Sequence, residues 1–155
     1  MRIGQDEENV RIYLDTCSLQ RPLDSKTQIR IILEAETILG ILGLCRSSDV
    51  VLIASDILIF ETERNPNPTR REYALEVLSK ASVFVTLDEQ IELRARALNL
   101  EGIKPLDALH LASAEAAGAD YFCTCDDKFL HRARYLTGLQ VRVVSPLELI
   151  GEIGS

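Results

Sequence analysis

Apolar positions along the chain fall into five short, β-rich runs separated by longer stretches with helical spacing. VRIYLD, Val10 to Asp15, reads as a buried strand. TQIRIILEAETILGILGLCR, Thr27 to Arg46, reads as a long helix in which Ile31, Ala35, Ile38, Leu39 and Leu42 share a face. Glu34 and Glu36 flank that face and are expected in solvent, while Ile29, Leu33 and Ile41 lie outside it. DVVLIAS, Asp49 to Ser55, is the second β run. A short helix follows, opened by Ser55 or Asp56, and then a helix whose start suits Pro68 and Thr69. SVFVTL, Ser82 to Leu87, predicts strand three, followed by a helix from about Asp88 to Leu98. After the turn NLEGIK, Pro105 opens a helix that ends near Gly118; DYFCTC and QVRVVS then predict strands four and five.

Strands alternating with helices in this way predict an α/β fold: a mainly parallel five-stranded sheet with helices on both faces, in three layers. Residues 11–150 suit one domain, and the polar, acidic residues 1–10 are expected to be a flexible extension. No apolar run has the length or purity of a membrane span, and the first residues lack a signal-peptide core, so a cytoplasmic location with no membrane contact is the expectation. Seventeen Lys and Arg against 24 Asp and Glu give a net charge of −7, which argues against broad electrostatic adhesion to nucleic acid but permits a local basic rim. The Cys-x-Cys of Cys123 and Cys125 is spaced wrongly for an internal disulfide on a strand, and the chain has only His110 and His131 to complete a zinc site. Free thiols are the expectation.

In parallel α/β sheets ligands sit beyond the carboxyl ends of the strands, so the residue after each strand is informative. Asp15 follows strand one, Ser55 and Asp56 close strand two, Asp88 follows strand three, and Asp126 with Asp127 follow strand four. Asp56 and Asp88 are sufficiently explained as helix caps. Asp15 also suits a cap, and Asp107, two residues past Pro105, favours a helix dipole whatever else it does. Glu61 adds weight because its helical phase falls between Ile57 and Leu58, on the inward face, where an unpaired carboxylate is costly. Asp15, Glu61, Asp107 and Asp126 are therefore expected to converge from four segments. Four carboxylates held together repel, and a hard divalent cation such as Mg²⁺ or Mn²⁺ relieves that repulsion while activating water and clamping a phosphoryl group.

With these acids assembled, the sequence resembles the PIN-domain nucleases, in order from Val10 to Pro146. The resemblance lies in YLDTCSLQRPLD, ILIFETERNP, LDALHLASA and ADYFCTCDDKF. It implies the PIN-like form of the α/β/α fold and a Mg²⁺- or Mn²⁺-dependent ribonuclease, with Asp15, Glu61, Asp107 and Asp126 matching the family's catalytic, metal-binding acids. Thr16 and Thr124 then match residues that orient those carboxylates by hydrogen bonding, and Asp127 is an outer contributor. Several small members of this length are VapC-type toxins that cleave RNA and are restrained by an antitoxin protein, so the resemblance also implies an RNA substrate and a possible antitoxin partner. A structure-specific DNA nuclease, and a non-toxin PIN-like RNA-binding or signalling module, stand as alternatives.

Arg21 and Lys128 lie nearest in sequence to the acids and are the preferred contacts for RNA phosphates. His110, one helical turn after Asp107, either supports a carboxylate or packs as a structural residue. The apolar positions of the long helix outside its main face point to a homodimer or to an antitoxin groove, with burial beneath another helix as the competing explanation.

Overall fold

The computed structural model describes residues 9–47 and 49–154, so residues 1–8 of the expected extension lie outside the described residues. Strands form where β-branched and aromatic residues cluster: β1 (Val10–Leu14), β2 (Val50–Ser55), β3 (Val83–Val85), β4 (Tyr121–Cys123) and β5 (Arg142–Val144). All four pairings are parallel, in the order β3-β2-β1-β4-β5. Ile12, Tyr13 and Leu14 of the central strand are fully buried, and every residue of β2 is buried. Continuous apolar runs of this kind belong to parallel strands covered on both faces.

The helices are α1 (Thr16–Gln20), α2 (Ile29–Arg46), α3 (Asp56–Glu63), α4 (Pro68–Ser79), α5 (Glu89–Leu100), α6 (Pro105–Ala116), α7 (Asp127–Ala133) and α8 (Pro146–Ile153). A 3-10 turn, Arg21–Leu23, joins α1 to the segment before α2. Caps set the starts: Asn67 accepts from Arg70 N–H, Asp88 from Ile91 N–H, and Ser145 forms a reciprocal capping box with Glu148. Together these elements make the expected three-layer α/β/α arrangement, with α2 packed on α8 and α5 on α6. Tyr13 stacks on Phe122, ring centroids 5.1 Å apart, and Phe122 meets Phe129 at 5.5 Å, so the core continues beneath the carboxyl ends of β1 and β4.

On α2 the inward face differs from expectation. Ala35, Ile38, Ile41 and Leu42 are buried, whereas Leu39 is half exposed. Glu34, expected in solvent, is only 2% exposed. The reason is an ionic partner set: Arg21 Nε lies 3.1 Å from Glu34 Oε1, off the hydrogen-bonding direction, and Arg30 Nε donates to Oε2 at 3.3 Å. Two guanidinium groups compensate a carboxylate that would otherwise resist burial.

Candidate active site

The chain runs outward from β1 through β2 to β3 and then returns to place β4 on the other side of β1. The order therefore reverses between β1 and β4, and the crevice beyond their carboxyl ends is the position where parallel α/β sheets bind ligands. Asp15 and Asp126 follow these two strands. Asp107 sits on α6, which leads into β4, and Glu61 sits on α3, which leaves β2.

Asp15 is fixed from three directions. Its N–H donates to Cys123 O at 3.1 Å, and its Oδ1 accepts from Ser18 N–H at 3.0 Å, capping α1, and from the Cys17 thiol at 3.1 Å. Burial pushes its carboxyl pKa up, opposed by hydrogen bonds from Thr124, Cys17 and Ser18. Thr124, itself buried, also accepts from Asp126 N–H at 3.0 Å, so one hydroxyl lies between the two strand-end acids. Asp126 caps α7 through Oδ1, which accepts from Lys128 N–H at 3.0 Å and Phe129 N–H at 3.2 Å.

Glu61 receives hydrogen bonds at a single oxygen, Oε1, from the Thr16 hydroxyl and from His110 Nε2, the latter at 3.0 Å. Burial alone would raise its pKa, but the bonds from His110 and Thr16 hold the carboxyl below its ordinary value. Glu63, two residues on, is exposed. Asp107 in the first turn of α6 is half-buried, and burial pushes its pKa up; His110 opposes this, while the charges of Asp15, Asp126 and Glu61 add to the rise. Asp107 thus registers the charges of three acids that come from three other segments.

The remaining candidates divide. Lys128 lines a cleft of about 720 Å³ together with Lys104, Asp107, Asp126, Arg132 and Tyr135. Arg21 takes part in an ion-pair cluster, with Nη1 2.8 Å from Asp24 Oδ2 beside its contact to Glu34. Asp127 is bound by Arg30 through both carboxylate oxygens, at 2.5 and 2.8 Å. Asp56 accepts from Leu87 N–H at 2.8 Å and ties the end of β3 to α3. All four cysteines are free, Cys123 and Cys125 buried and Cys17 exposed.

A contact between two polar side chains of the site region has no signal in the sequence. Tyr13, within the apolar run of β1, places its hydroxyl 2.7 Å from Ser55 Oγ and 2.7 Å from His110 Nδ1. A tyrosine in a strand reads as core, and only its position two residues before Asp15 hints at more. Of the two expected caps for α3, Ser55 or Asp56, it is Ser55 that caps, accepting from Leu58 N–H at 3.1 Å, while Asp56 is the first helical residue; Ser55 also meets Tyr13.

Among the described residues, no group of three or more His, Cys, Asp and Glu side chains is drawn tightly enough to hold a metal ion as it stands. The donor set nevertheless suits a hard divalent cation. Such ions take oxygen ligands and, in the case of Mg²⁺, keep several waters and need only one or two carboxylates directly. The like-charge repulsion at Asp107 is what a cation would relieve.

With that geometry in hand, residues 12–135 match the family model described as PIN domain. The chain belongs to the PIN-domain family of nucleases, hydrolases acting on nucleic acids. Solved structures share the fold. The FitAcB structure from Neisseria gonorrhoeae is 18% identical, with 88% of this chain and 98% of that chain covered at a TM-score of 0.55. VapBC2 from Rickettsia felis, bound to a DNA fragment from their promoter, is 12% identical over 88% and 98% of the two chains, TM-score 0.59. VapC20 from Mycobacterium tuberculosis, a sarcin-ricin loop cleaving toxin, is 18% identical over 83% and 98%, TM-score 0.54. No curated protein matches the chain in sequence.

Proposed function

We propose that the protein is an endoribonuclease dependent on Mg²⁺ or Mn²⁺, with Asp15, Glu61, Asp107 and Asp126 as the acids that hold the cation. The observation that carries this reading is Asp107, half-buried in the first turn of α6, whose carboxyl is pushed up first by burial and then, against His110, by the charges of Asp15, Asp126 and Glu61. A divalent cation, when bound, supplies Lewis-acid stabilisation of the phosphoryl oxygens and a nucleophile at neutral pH. The chain's own residues do the positioning. Thr16 and His110 occupy Glu61 Oε1, so Oε2 is the oxygen left to face a ligand. The α7 amides hold Asp126, and Ser18 with Cys17 holds Asp15. Lys128, beside Asp126 in the cleft, is the proposed contact for an RNA phosphate, helped by Lys104 and Arg132 on the same walls.

VapC20 is a sarcin-ricin loop cleaving toxin, and VapBC2 is a toxin–antitoxin pair bound to a DNA fragment from its promoter. For this chain we extend the reading to a VapC-type toxin held by an antitoxin, with homodimer formation as a further state. Exposed Ile29, Leu33 and Leu39 on α2 supply apolar surface for such a partner. Among the described residues no helix is long and apolar enough to cross a membrane.

The test is a substrate panel of single-stranded RNA, structured RNA and flapped DNA with Mg²⁺ or Mn²⁺. RNA cleavage lost in Asp15→Asn and Asp107→Asn is the expected result. Cleavage confined to flapped DNA would replace the ribonuclease reading with the DNA-nuclease one.

A further inference from the structure

A buried chain of hydrogen bonds runs from β2 through β1 and α6 to Glu61 on α3. Ser55 and Tyr13 are fully buried and His110 is 3% exposed. The contacts are Leu58 N to Ser55 Oγ at 3.1 Å, Ser55 Oγ to Tyr13 Oη at 2.7 Å, Tyr13 Oη to His110 Nδ1 at 2.7 Å, and His110 Nε2 to Glu61 Oε1 at 3.0 Å. The four side chains, of Ser55, Tyr13, His110 and Glu61, come from four different elements, and the Tyr13 and His110 rings also meet edge to face at 5.8 Å.

Proton counting gives this chain one direction. An ionised Glu61 only accepts, so His110 Nε2 must carry a hydrogen. In the neutral imidazole Nδ1 is then an acceptor, and the Tyr13 hydroxyl must donate to it. The Tyr13 oxygen accepts in turn from the Ser55 hydroxyl, whose oxygen takes the Leu58 N–H. Every donor and acceptor in the line is satisfied in this arrangement. Reversing any hydroxyl sets two donors or two acceptors face to face in a buried site, which costs about 1–3 kcal/mol.

We infer that Tyr13 and His110 are positioning residues for Glu61: the relay fixes His110 as the Nε2–H tautomer and thereby aims the carboxylate at the crevice. The inference rests on the reading of Glu61 as a cation ligand. A histidine that merely fills core volume needs no particular tautomer. One that orients a carboxylate does, as with the partners that steer metal-binding groups elsewhere.

The experiment combines ¹⁵N NMR of His110 in the metal-free protein, at about pH 8 where an ordinary histidine is neutral, with calorimetric titration of Mn²⁺. The wild type is expected to show the Nε2–H tautomer. Tyr13→Phe, which conserves ring volume, is expected to mix the tautomers and weaken Mn²⁺ binding about tenfold. His110→Leu is expected to lose at least as much, whereas His110→Gln, which keeps a donor toward Glu61, should recover part of it. An Nδ1–H tautomer in the wild type overturns the relay whether or not any variant folds. So does Mn²⁺ affinity that stays unchanged in folded Tyr13→Phe and His110→Leu. A wild type with the expected tautomer that binds no Mn²⁺ overturns instead the cation reading of Glu61, and with it the purpose assigned to the relay.

Discussion

At the scale of residues, the site is a set of carboxylates pushed in opposite directions. Asp15 and Asp107 are raised, chiefly by burial, while Glu61 is held down by His110 and Thr16. For the two raised acids the folded protein keeps protons that the unfolded chain has already released. Their contribution to the stability of the metal-free protein is therefore fully present below the ordinary carboxylate range and is lost as pH rises through their folded values. Glu61 acts in reverse, contributing above its unfolded value and losing that contribution as pH falls through its lowered one. Asp107→Asn removes one raised acid. It is expected to increase the melting temperature of the metal-free protein at neutral pH by roughly 2–4 °C, equivalent to about 1 kcal/mol. It should also flatten the loss of stability between mildly acidic and neutral pH, as followed by urea unfolding. A lower melting temperature in this variant would show that the acid is already compensated. Asp15 and Asp126 were legible because each follows a strand, and Asp107 because it follows a helix-opening proline. The Tyr13 hydroxyl was not, since nothing in an apolar strand announces that its polar atom meets residues 42 and 97 positions away.

At the scale of elements, long periodic segments were legible and short ones were not. The parallel sheet follows from the alternation of β runs with helical spacing, whereas its order, β3-β2-β1-β4-β5, does not. α1 and α7 span five and seven residues, too few for a hydrophobic phase, and exist because Asp15 and Asp126 cap them. The face of α2 was misread at Glu34 because its partners include Arg21, outside the helix, in the 3-10 turn. Glu34→Ala leaves Arg21 and Arg30 without that shared carboxylate. It is expected to cost about 1–3 kcal/mol, below the full value for a buried pair because both arginines reach solvent. Urea unfolding checks this, and an unchanged midpoint would mean that the cluster contributes nothing to the fold. Asp127, expected near the acids as an outer contributor, is held by Arg30 of α2 through both oxygens.

At the scale of the whole molecule, a chain of net charge −7 carries Lys104, Lys128 and Arg132 on the walls of one cleft beside Asp107 and Asp126. Local basicity within an acidic molecule favours a phosphate group at that cleft. Lys128→Ala is expected to raise KM for RNA roughly fivefold, the equivalent of about 1 kcal/mol, with kcat little changed; a fall in kcat alone would assign the lysine to the chemical step. The central claim is that the four acids work through a divalent cation on RNA. Its most direct measurement is the rate of RNA cleavage by protein stripped with chelator and then supplied with Mn²⁺ or Mg²⁺. Loss of cleavage on stripping and its return on addition of the ion is the expected result, whereas cleavage that continues undiminished in excess chelator would contradict it.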